Sequence, residues 1–180
     1  MPKVVSLKIK ERVLKYLEEH CAMTIATEKD GVPWATAVFY ASDGFNLYFL
    51  SDPESRHSKN IAENPLVGIT VNEDYHDWKN IKGIQMEGRS RLVSSEEEMA
   101  KAIDVYAKKY PFTAPYLKPM SSLSKTIEYL DNLLKKLPFV PGLPKTFTVR
   151  FYVVIPTTVR FIDNEIGFGH KDEFTVEDTP

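Results

Sequence analysis

Residues 24–51 have the sequence TIATEKDGVPWATAVFYASDGFNLYFLS, in which two Asp-Gly pairs separate three segments rich in β-branched and aromatic residues. Asp-Gly is a favoured sequence for the tight turn between two antiparallel strands. We therefore predict strands over residues 20–27, 34–41 and 46–51. Because short turns return the chain directly, these three strands are expected to form an antiparallel meander.

Hydrophobic periodicity predicts further elements on both sides of this meander. Apolar residues recur at helical spacing before it and again after Ser94, where Ser95 and Glu98 fit a capping box. Apolar runs favour further strands, and Gly83 and Gly88 are candidate bends or bulges within one of them. We predict helices over residues 6–19, 53–63 and 94–110, and strands over residues 66–71, 81–93, 147–155 and 158–162, the last two separated at Pro156.

The remaining segments complete the predicted domain. Residues 111–145 are rich in proline and carry a helical pattern over residues 123–137, which we interpret as a helical insert within a single domain spanning residues 1–180. The charged tail from residue 169 is expected to fray. Six or seven mostly antiparallel strands with flanking helices favour a mainly β (α+β) fold, a small antiparallel β-barrel, over an alternating α/β sheet.

The composition argues against several classes of function. The chain has 180 residues and a net charge of −2, and broad nucleic-acid binding would need a basic surface. Its single cysteine permits no disulfide within one chain, and its N-terminal residues lack the apolar core of a signal peptide. No segment is apolar over the length that a membrane span requires. We therefore expect a cytoplasmic protein that binds neither nucleic acid nor membrane.

Familiar catalytic and metal-binding patterns are absent from the sequence. His20 and Cys21 are adjacent, but no Cys-x-x-Cys or His-x-x-x-His pair occurs, so no metal site is predicted. Cys21 has no identifiable activating base, which favours a buried small residue over a nucleophile. Neither a Gly-x-Ser-x-Gly elbow nor a Gly-rich phosphate loop occurs. The sequence therefore names no catalytic acid, base or nucleophile.

The stretch SDPESRHSKN, residues 51–60, admits two interpretations. Its first four residues make a good helix start, and Arg56, His57 and Lys59 can be solvated side chains of a surface helix. Alternatively, the first turn of the helix offers free N–H groups and a positive dipole end to a phosphate, which Arg56 could bind through two hydrogen bonds. The two acidic residues of the stretch oppose the second interpretation, because their charges would repel a phosphate.

The order of short motifs around this stretch resembles that of the pyridoxamine 5′-phosphate oxidase-like family of FMN-binding split β-barrels. Members of that family carry an aromatic-rich strand ending in Ser or Thr, then Ser-Arg-Lys at a helix start, Asn-Pro, a strand, and a later strand with an acidic-Gly-Arg step. The matching places here hold Ser51, Ser55-Arg56-His57, Asn64-Pro65 and Glu87-Gly88-Arg89. The C-terminal run VVIPTTVRFIDNEIGFGHK resembles a poorly characterised branch of the family. The resemblance implies an antiparallel split β-barrel with flanking helices.

The resemblance also implies a cofactor and the residues that bind it. The cofactor is FMN, held at the interface of a homodimer. Its phosphate would meet Arg56 and His57 at the helix start, and its ring would lie along the backbone of the second strand. Lys82 matches a position that is often basic and near the phosphate in relatives. The implied cofactor-binding residues are Thr36, Ala37, Val38, Phe39, Ser51, Arg56, His57, Lys59 and Lys82.

Three departures from the family pattern limit what the resemblance implies. His57 replaces the usual Lys, so a permanent charge becomes one that titrates near neutrality. Gly83 stands where the vitamin-making oxidases have a flavin-contacting Gln, and their C-terminal Trp and Arg have no counterpart. We therefore expect an FMN-dependent oxidoreductase of unknown substrate rather than the vitamin B6 oxidase itself. The alternatives are a non-catalytic flavin- or haem-binding protein of the same fold, and a scaffold that has lost its ligand.

Overall fold

The computed structural model describes residues 7–117 and 149–176, in which seven strands and four α-helices form. The strands are β1 (Ala22–Lys29), β2 (Val32–Asp43), β3 (Asn46–Ser51), β4 (Leu66–Asn72), β5 (Lys82–Leu92), β6 (Arg150–Asp163) and β7 (Lys171–Thr175). The helices are α1 (Leu7–Glu19), α2 (Arg56–Glu63), α3 (Glu96–Lys109) and α4 (Ala114–Leu117), with short 3-10 helices at Trp78–Asn80 and Pro111–Thr113.

The strands form a sheet that closes on itself, which confirms the predicted antiparallel split β-barrel with flanking helices. Their order is β3-β2-β1-β4-β5-β6-β7, and β3 also pairs with β6. Every pairing is antiparallel. The first half of β6 pairs with β3 and its second half with β7. β3 pairs with only the last four residues of β2 on one side and with β6 on the other. The rest of β2 has no β3 partner, and the barrel is split there.

Two apolar cores hold the barrel and its helices together. The interior core includes Ile25, Phe49 and Val154, which are fully buried, together with the apolar face of α1. A second core lies outside the barrel, where α3 packs against β3 and the start of β6 through residues such as Tyr106 and Phe151. Burial of this apolar surface is the main driving force for both layers.

The two ends of the barrel are covered by different helices. At one end, the Tyr40 hydroxyl donates to the Leu17 carbonyl of α1 at 2.9 Å, and the Tyr16 hydroxyl donates to the Lys82 carbonyl at 3.2 Å. At the opposite end, α2 packs on β1, and Asn60 Nδ2 of α2 donates to the Thr27 hydroxyl at 3.0 Å. We call the end covered by α2 the α2 end.

The tight turns that the sequence predicts are present. Asp30 and Gly31 have φ values of 54° and 77°, and Lys29 pairs with Val32 across them. A two-residue hairpin turn with both φ values positive matches the right-handed twist of the strands that it joins. The bounds of β3 are those predicted, and Ser95 caps α3, its hydroxyl accepting from the Glu98 N–H at 3.1 Å.

The predicted break in the last long strand is wrong. The strand β6 continues through Pro156, and it does so at a bulge of its own, because Thr157 has no partner where the register against β5 shifts between Glu87 and Gly88. A proline supplies no N–H to the ladder, and a bulge is a place where that loss is tolerated. The register shift lies next to Gly88, one of the two predicted bends, whereas Gly83 pairs in regular register.

Two predictions near the C-terminal half have different outcomes. The charged tail does not simply fray, because β7 pairs with β6 and buries Phe174 against the interior core. Of the proline-rich segment, residues 111–117 form a short 3-10 helix and α4, and the predicted helix at residues 123–137 lies outside the described residues. None of the helices in the described residues combines the length and the apolar character that a membrane crossing needs.

Candidate functional site

The chain makes a tight turn between β3 and α2, and this turn moves the start of the helix. The Ser55 N–H donates to the Asp52 carbonyl at 3.0 Å, and the Glu54 N–H donates to Asp52 Oδ1 at 2.9 Å. The helix therefore begins at Arg56, three residues later than predicted, with Ser55 as its N-cap. An aspartate favours such a turn because its side chain competes for local backbone N–H groups.

Both acidic residues of this turn have partners of their own. Asp52 accepts the hydrogen bond of the turn itself, and Glu54 Oε2 lies 2.9 Å from Lys59 Nζ. The Glu54–Lys59 pair is exposed and contributes little stability, but it offsets both charges. Lys59 is thus paired rather than free for a phosphate, and the acidic residues oppose an anion at this helix start less than their formal charges suggest.

Three serine hydroxyls and one imidazole form a buried cluster where β3 meets α2. Ser51 Oγ lies 2.6 Å from His57 Nε2, and Ser55 Oγ lies 3.2 Å from the same nitrogen. The Ser58 hydroxyl donates to Ser51 Oγ at 3.2 Å, and the Ser55 hydroxyl donates to Ser58 Oγ at 2.9 Å. We call Ser51, Ser55, His57 and Ser58 the hydroxyl cluster. It fixes the first turn of α2 against the end of β3.

The side chain of His57 belongs to this cluster and carries no charge near neutral pH. It is only 7% exposed, and burial lowers its pKa from the ordinary value of 6.5 because a charged imidazole loses hydration there. From the sequence, His57 is predicted to lie beside a phosphate as a titrating cation. In the structure, its imidazole instead hydrogen-bonds to the hydroxyl of Ser51. What His57 offers an anion is its backbone N–H, which lies in the first turn of the helix.

Arg56 is the cation that the structure leaves at the helix start. Its guanidinium lies over the ring of Trp34 in β2, 4.3 Å from the ring centroid. No carboxylate of the described residues pairs with it. Stacking on an indole orders a guanidinium while its edge N–H groups stay available for hydrogen bonds. Arg56 can therefore present a planar fork of donors next to the free N–H groups of α2.

The second strand presents an open backbone edge beside this helix start. Residues 36–39 pair with β1 on one side, while β3 pairs with β2 only from Tyr40 onward. On the other side, none of the described strands pairs with residues 36–39. Unpaired N–H and C=O groups at such an edge can bind a heterocyclic ring that carries donors and acceptors. This open edge consists of the residues predicted to lie along the flavin ring, Thr36, Ala37, Val38 and Phe39. The first of them is two residues beyond Trp34 in β2.

Lys82 lies far from the other predicted residues within one protomer. It begins β5 and pairs with Asp163, whereas the other end of β5 reaches the α2 end, where Arg89 pairs with Leu66. Seven residues of strand separate Lys82 from Arg89, or about 23 Å at 3.3 Å per residue. Lys82 Nζ is also 2.6 Å from Glu165 Oε2. The structure therefore brings Ser51, Arg56 and His57 together and leaves Lys82 apart.

Two residues of the hydroxyl cluster were missed by the sequence analysis. Ser55 and Ser58 have the three-residue spacing of a helix N-cap and the residue whose N–H donates to it, and this spacing is a signal that could have found them. The prediction that Cys21 is buried is wrong, because it is exposed at the start of the first strand. No group of His, Cys, Asp and Glu side chains in the described residues has the arrangement of a metal site.

The sequence of this chain matches the model of a known protein family. The family model described as pyridoxamine 5′-phosphate oxidase matches residues 9–133, which is more than half of the chain. The matched region contains the hydroxyl cluster, Arg56 and the open edge of β2. The chain therefore belongs to the pyridoxamine 5′-phosphate oxidase family.

Several known proteins are similar to this chain along most of its length. A UPF0306 protein from Klebsiella pneumoniae (strain 342) is 24% identical over 159 residues, covering 87% of this chain and 86% of the relative. Among solved structures, a haem-binding protein from Mycobacterium smegmatis has a TM-score of 0.67 at 18% identity and covers 96% of this chain, which spans 60% of that protein. A FAD-binding protein from Mesorhizobium loti has a TM-score of 0.56 at 17% identity, covering 83% of this chain and 88% of that one. At these identities the solved structures show a shared fold alone.

Proposed function

We propose that this protein is an FMN-dependent oxidoreductase whose flavin binds at a homodimer interface. The observation that carries the proposal is the α2 end of the barrel, where Arg56 and the free N–H groups of a helix start lie beside the open edge of β2. Membership of the pyridoxamine 5′-phosphate oxidase family supports it.

The residues at the start of α2 fit the phosphate of FMN. A phosphate ester carries a charge of about −1.5 to −2 at neutral pH and has three acceptor oxygens. Arg56 would donate two hydrogen bonds to it, and the N–H groups of Arg56 and His57 would donate from the first turn. The hydroxyl of Ser51 would hold His57 in place and thereby keep that turn in position.

The open edge of β2 fits the flavin ring. The backbone of Thr36, Ala37, Val38 and Phe39 would hydrogen-bond the polar edge of the ring, and the exposed side chain of Phe39 would exclude water from one side of it. When bound, FMN supplies the redox chemistry. The chain itself binds the cofactor, orients it and shields it, and no described residue needs to act as an acid or base for a hydride transfer.

A second protomer would cover the outer face of the barrel. Ala35 of β2, Ala26 of β1 and Gly68 of β4 lie in register across that face, and Ala26 and Gly68 line an open cavity there. Phe39 and Leu66 flank them and are 63% and 58% exposed. An open surface with exposed large apolar residues is typical of a subunit interface. The homodimer proposed here would bury this face.

A flavin titration tests the proposal and the role of Arg56. The purified protein is expected to bind FMN at micromolar concentration or tighter, measured by quenching of flavin fluorescence. Arg56→Ala should weaken that binding by about 2 kcal/mol, or roughly 30-fold, because it removes charge-assisted hydrogen bonds to the phosphate. Arg160→Ala, which removes a guanidinium already paired with Glu173, serves as the control. Equal FMN affinity of wild type and Arg56→Ala would remove the phosphate from this helix start.

A non-catalytic carrier of the same fold is the second candidate. The similar fold of the haem-binding protein from Mycobacterium smegmatis favours haem as the competing planar ligand. Absorbance spectra after incubation with FMN or with haemin distinguish the two ligands. Bleaching of the bound flavin by a reduced nicotinamide would favour the oxidoreductase, whereas a Soret band at equimolar haemin without FMN binding would favour the haem carrier.

A further inference from the structure

The six arginines of this chain fall into two groups according to their partners. Three form ion pairs with carboxylates: Arg12, Arg91 and Arg160. Three have no carboxylate partner in the part of the chain that the structure describes: Arg56, Arg89 and Arg150. A guanidinium without a carboxylate partner keeps its planar donors available for an anionic ligand. The unpaired arginines are therefore the candidates for a further contact with the proposed phosphate.

Arg150 lies next to the hydroxyl cluster although it is 94 residues beyond Arg56 in sequence. It begins β6, and its Cα partner across the antiparallel ladder is Ser51. Cross-strand partners project to the same face of a sheet, so the side chains of Arg150 and Ser51 are neighbours. Arg150 is half-buried, and its only polar contact within the described residues is to the carbonyl of the adjacent Val149, at 3.2 Å.

Within one protomer, the proposed phosphate site lacks a second positive charge if Arg150 is left out. A phosphate ester carries almost two negative charges. Burial keeps His57 neutral, Lys59 is paired with Glu54, and Lys82 lies towards the other end of the barrel. Arg89 also lies at the α2 end, but it is exposed on the outer face of β5, whereas Ser51 is buried. Arg56 alone of one protomer would then face the phosphate. Sites that bind phosphate tightly usually combine several charge-assisted donors.

We propose that Arg150 is the second guanidinium of the phosphate site and binds the phosphate monoester together with Arg56. This role rests on the proposed function. Ser51 connects the two arginines, because its backbone pairs with Arg150 and its hydroxyl lies 3.2 Å from that of Ser55, the residue before Arg56. Arg150 thus supplies from β6 the charge that the family usually places on α2 and that His57 does not provide.

A comparison of FMN with riboflavin tests this role, because the two ligands differ only in the phosphate. The affinity of each ligand is measured by fluorescence quenching for wild type, Arg150→Ala, Arg150→Lys and the control Arg160→Ala. Arg150→Ala is expected to raise the Kd for FMN by about 10-fold or more and to leave the Kd for riboflavin within about twofold. Arg150→Lys should fall between wild type and Arg150→Ala, since it keeps the charge but loses the planar fork.

The outcomes separate this role from the proposed function. Unchanged FMN affinity in Arg150→Ala overturns the role of Arg150 and leaves the flavin proposal standing. Equal weakening of FMN and riboflavin also overturns it, because Arg150 would then only support the packing of β3 against β6. A wild-type protein that binds neither ligand overturns the proposed function and the role of Arg150 with it.

Discussion

At the scale of single residues, the imidazole of His57 shows how burial changes the role of a side chain. Its Nε2 is 2.6 Å from Ser51 Oγ, and the ring is almost fully removed from water. A charged imidazole is costly in such a place, so the neutral form predominates in the folded protein. His57 therefore positions Ser51 and the first turn of α2, and the positive charge of the site comes from arginine.

The buried imidazole makes the stability of the protein depend on pH. Because burial lowers the pKa of His57, the unfolded chain takes up a proton there before the folded protein does. The contribution of His57 to stability is therefore complete above the unfolded-state pKa of 6.5 and is lost as the pH falls below it. We expect the free energy of unfolding to fall more between about pH 7.5 and 5.5 in wild type than in His57→Gln.

Urea denaturation at the two pH values measures this difference. His76→Gln is the matched control, because His76 is exposed and the variant should keep the pH dependence of wild type. If wild type and His57→Gln lose the same free energy of unfolding on acidification, the imidazole of His57 is not held neutral by burial. All three proteins share the same carboxylates, so the acid titration of those groups cancels in the comparison.

At the scale of elements, the bulge at Thr157 explains how β6 passes through a proline. Pro156 lies opposite Gly88, where the register of the two strands shifts. A side chain at Gly88 would place its Cβ 2.7 Å from Pro156 Cα and still closer to the Ile155 carbonyl oxygen. Both of these neighbouring atoms belong to the backbone, so they cannot move away by a change of side-chain rotamer. The backbones of β5 and β6 therefore approach each other closely enough that only glycine fits.

This close approach predicts that Gly88→Ala is strongly destabilising. The added methyl group should push β5 away from β6 and lower the free energy of unfolding by about 1–3 kcal/mol, the usual cost of overpacking. Gly167→Ala, in the turn between β6 and β7, is the control, because its Cβ would meet nothing within 4 Å. Thermal or urea denaturation of both variants makes the comparison. Equal stability of the two would contradict the close approach of the backbones at the bulge.

At the scale of the whole molecule, the separation of Lys82 from Arg56 bears on the proposed homodimer. The two residues lie towards opposite ends of one barrel, yet both match positions near the cofactor in the family resemblance. A second copy packed on the outer face offers a way for Lys82 to approach the Arg56 of its partner. The proposed flavin site would then be complete only in the dimer.

A subunit-mixing experiment tests this arrangement. Arg56→Ala and Lys82→Ala homodimers should each bind FMN weakly, because every site lacks one basic residue. After random exchange, about half of the dimers contain one copy of each variant, and one of their two sites has both residues intact. About a quarter of all sites should therefore regain wild-type affinity, measured by FMN titration. If no high-affinity sites return, although light scattering shows that the subunits have exchanged, Lys82 does not act across the interface.

Local sequence determined the turns, the helix caps and most of the strands. Asp-Gly pairs fix tight turns through positive φ values, and Ser95 caps α3 through a bond to Glu98, so neither depends on distant residues. The same locality brings Ser51, Arg56 and His57 together, since they lie within seven consecutive residues. The fold class and the core of the candidate site could be predicted for this reason.

Tertiary structure alone decided the features that depend on distant parts of the chain. The continuity of β6 at Pro156 depends on the register shift between β6 and β5, and β7 requires the edge that β6 leaves open. The pairing of Arg150 with Ser51 and the separation of Lys82 from Arg56 likewise follow from strand register. The charge state of His57 depends on burial. Register and burial are set by contacts between residues far apart in sequence, and local patterns contain no record of those contacts.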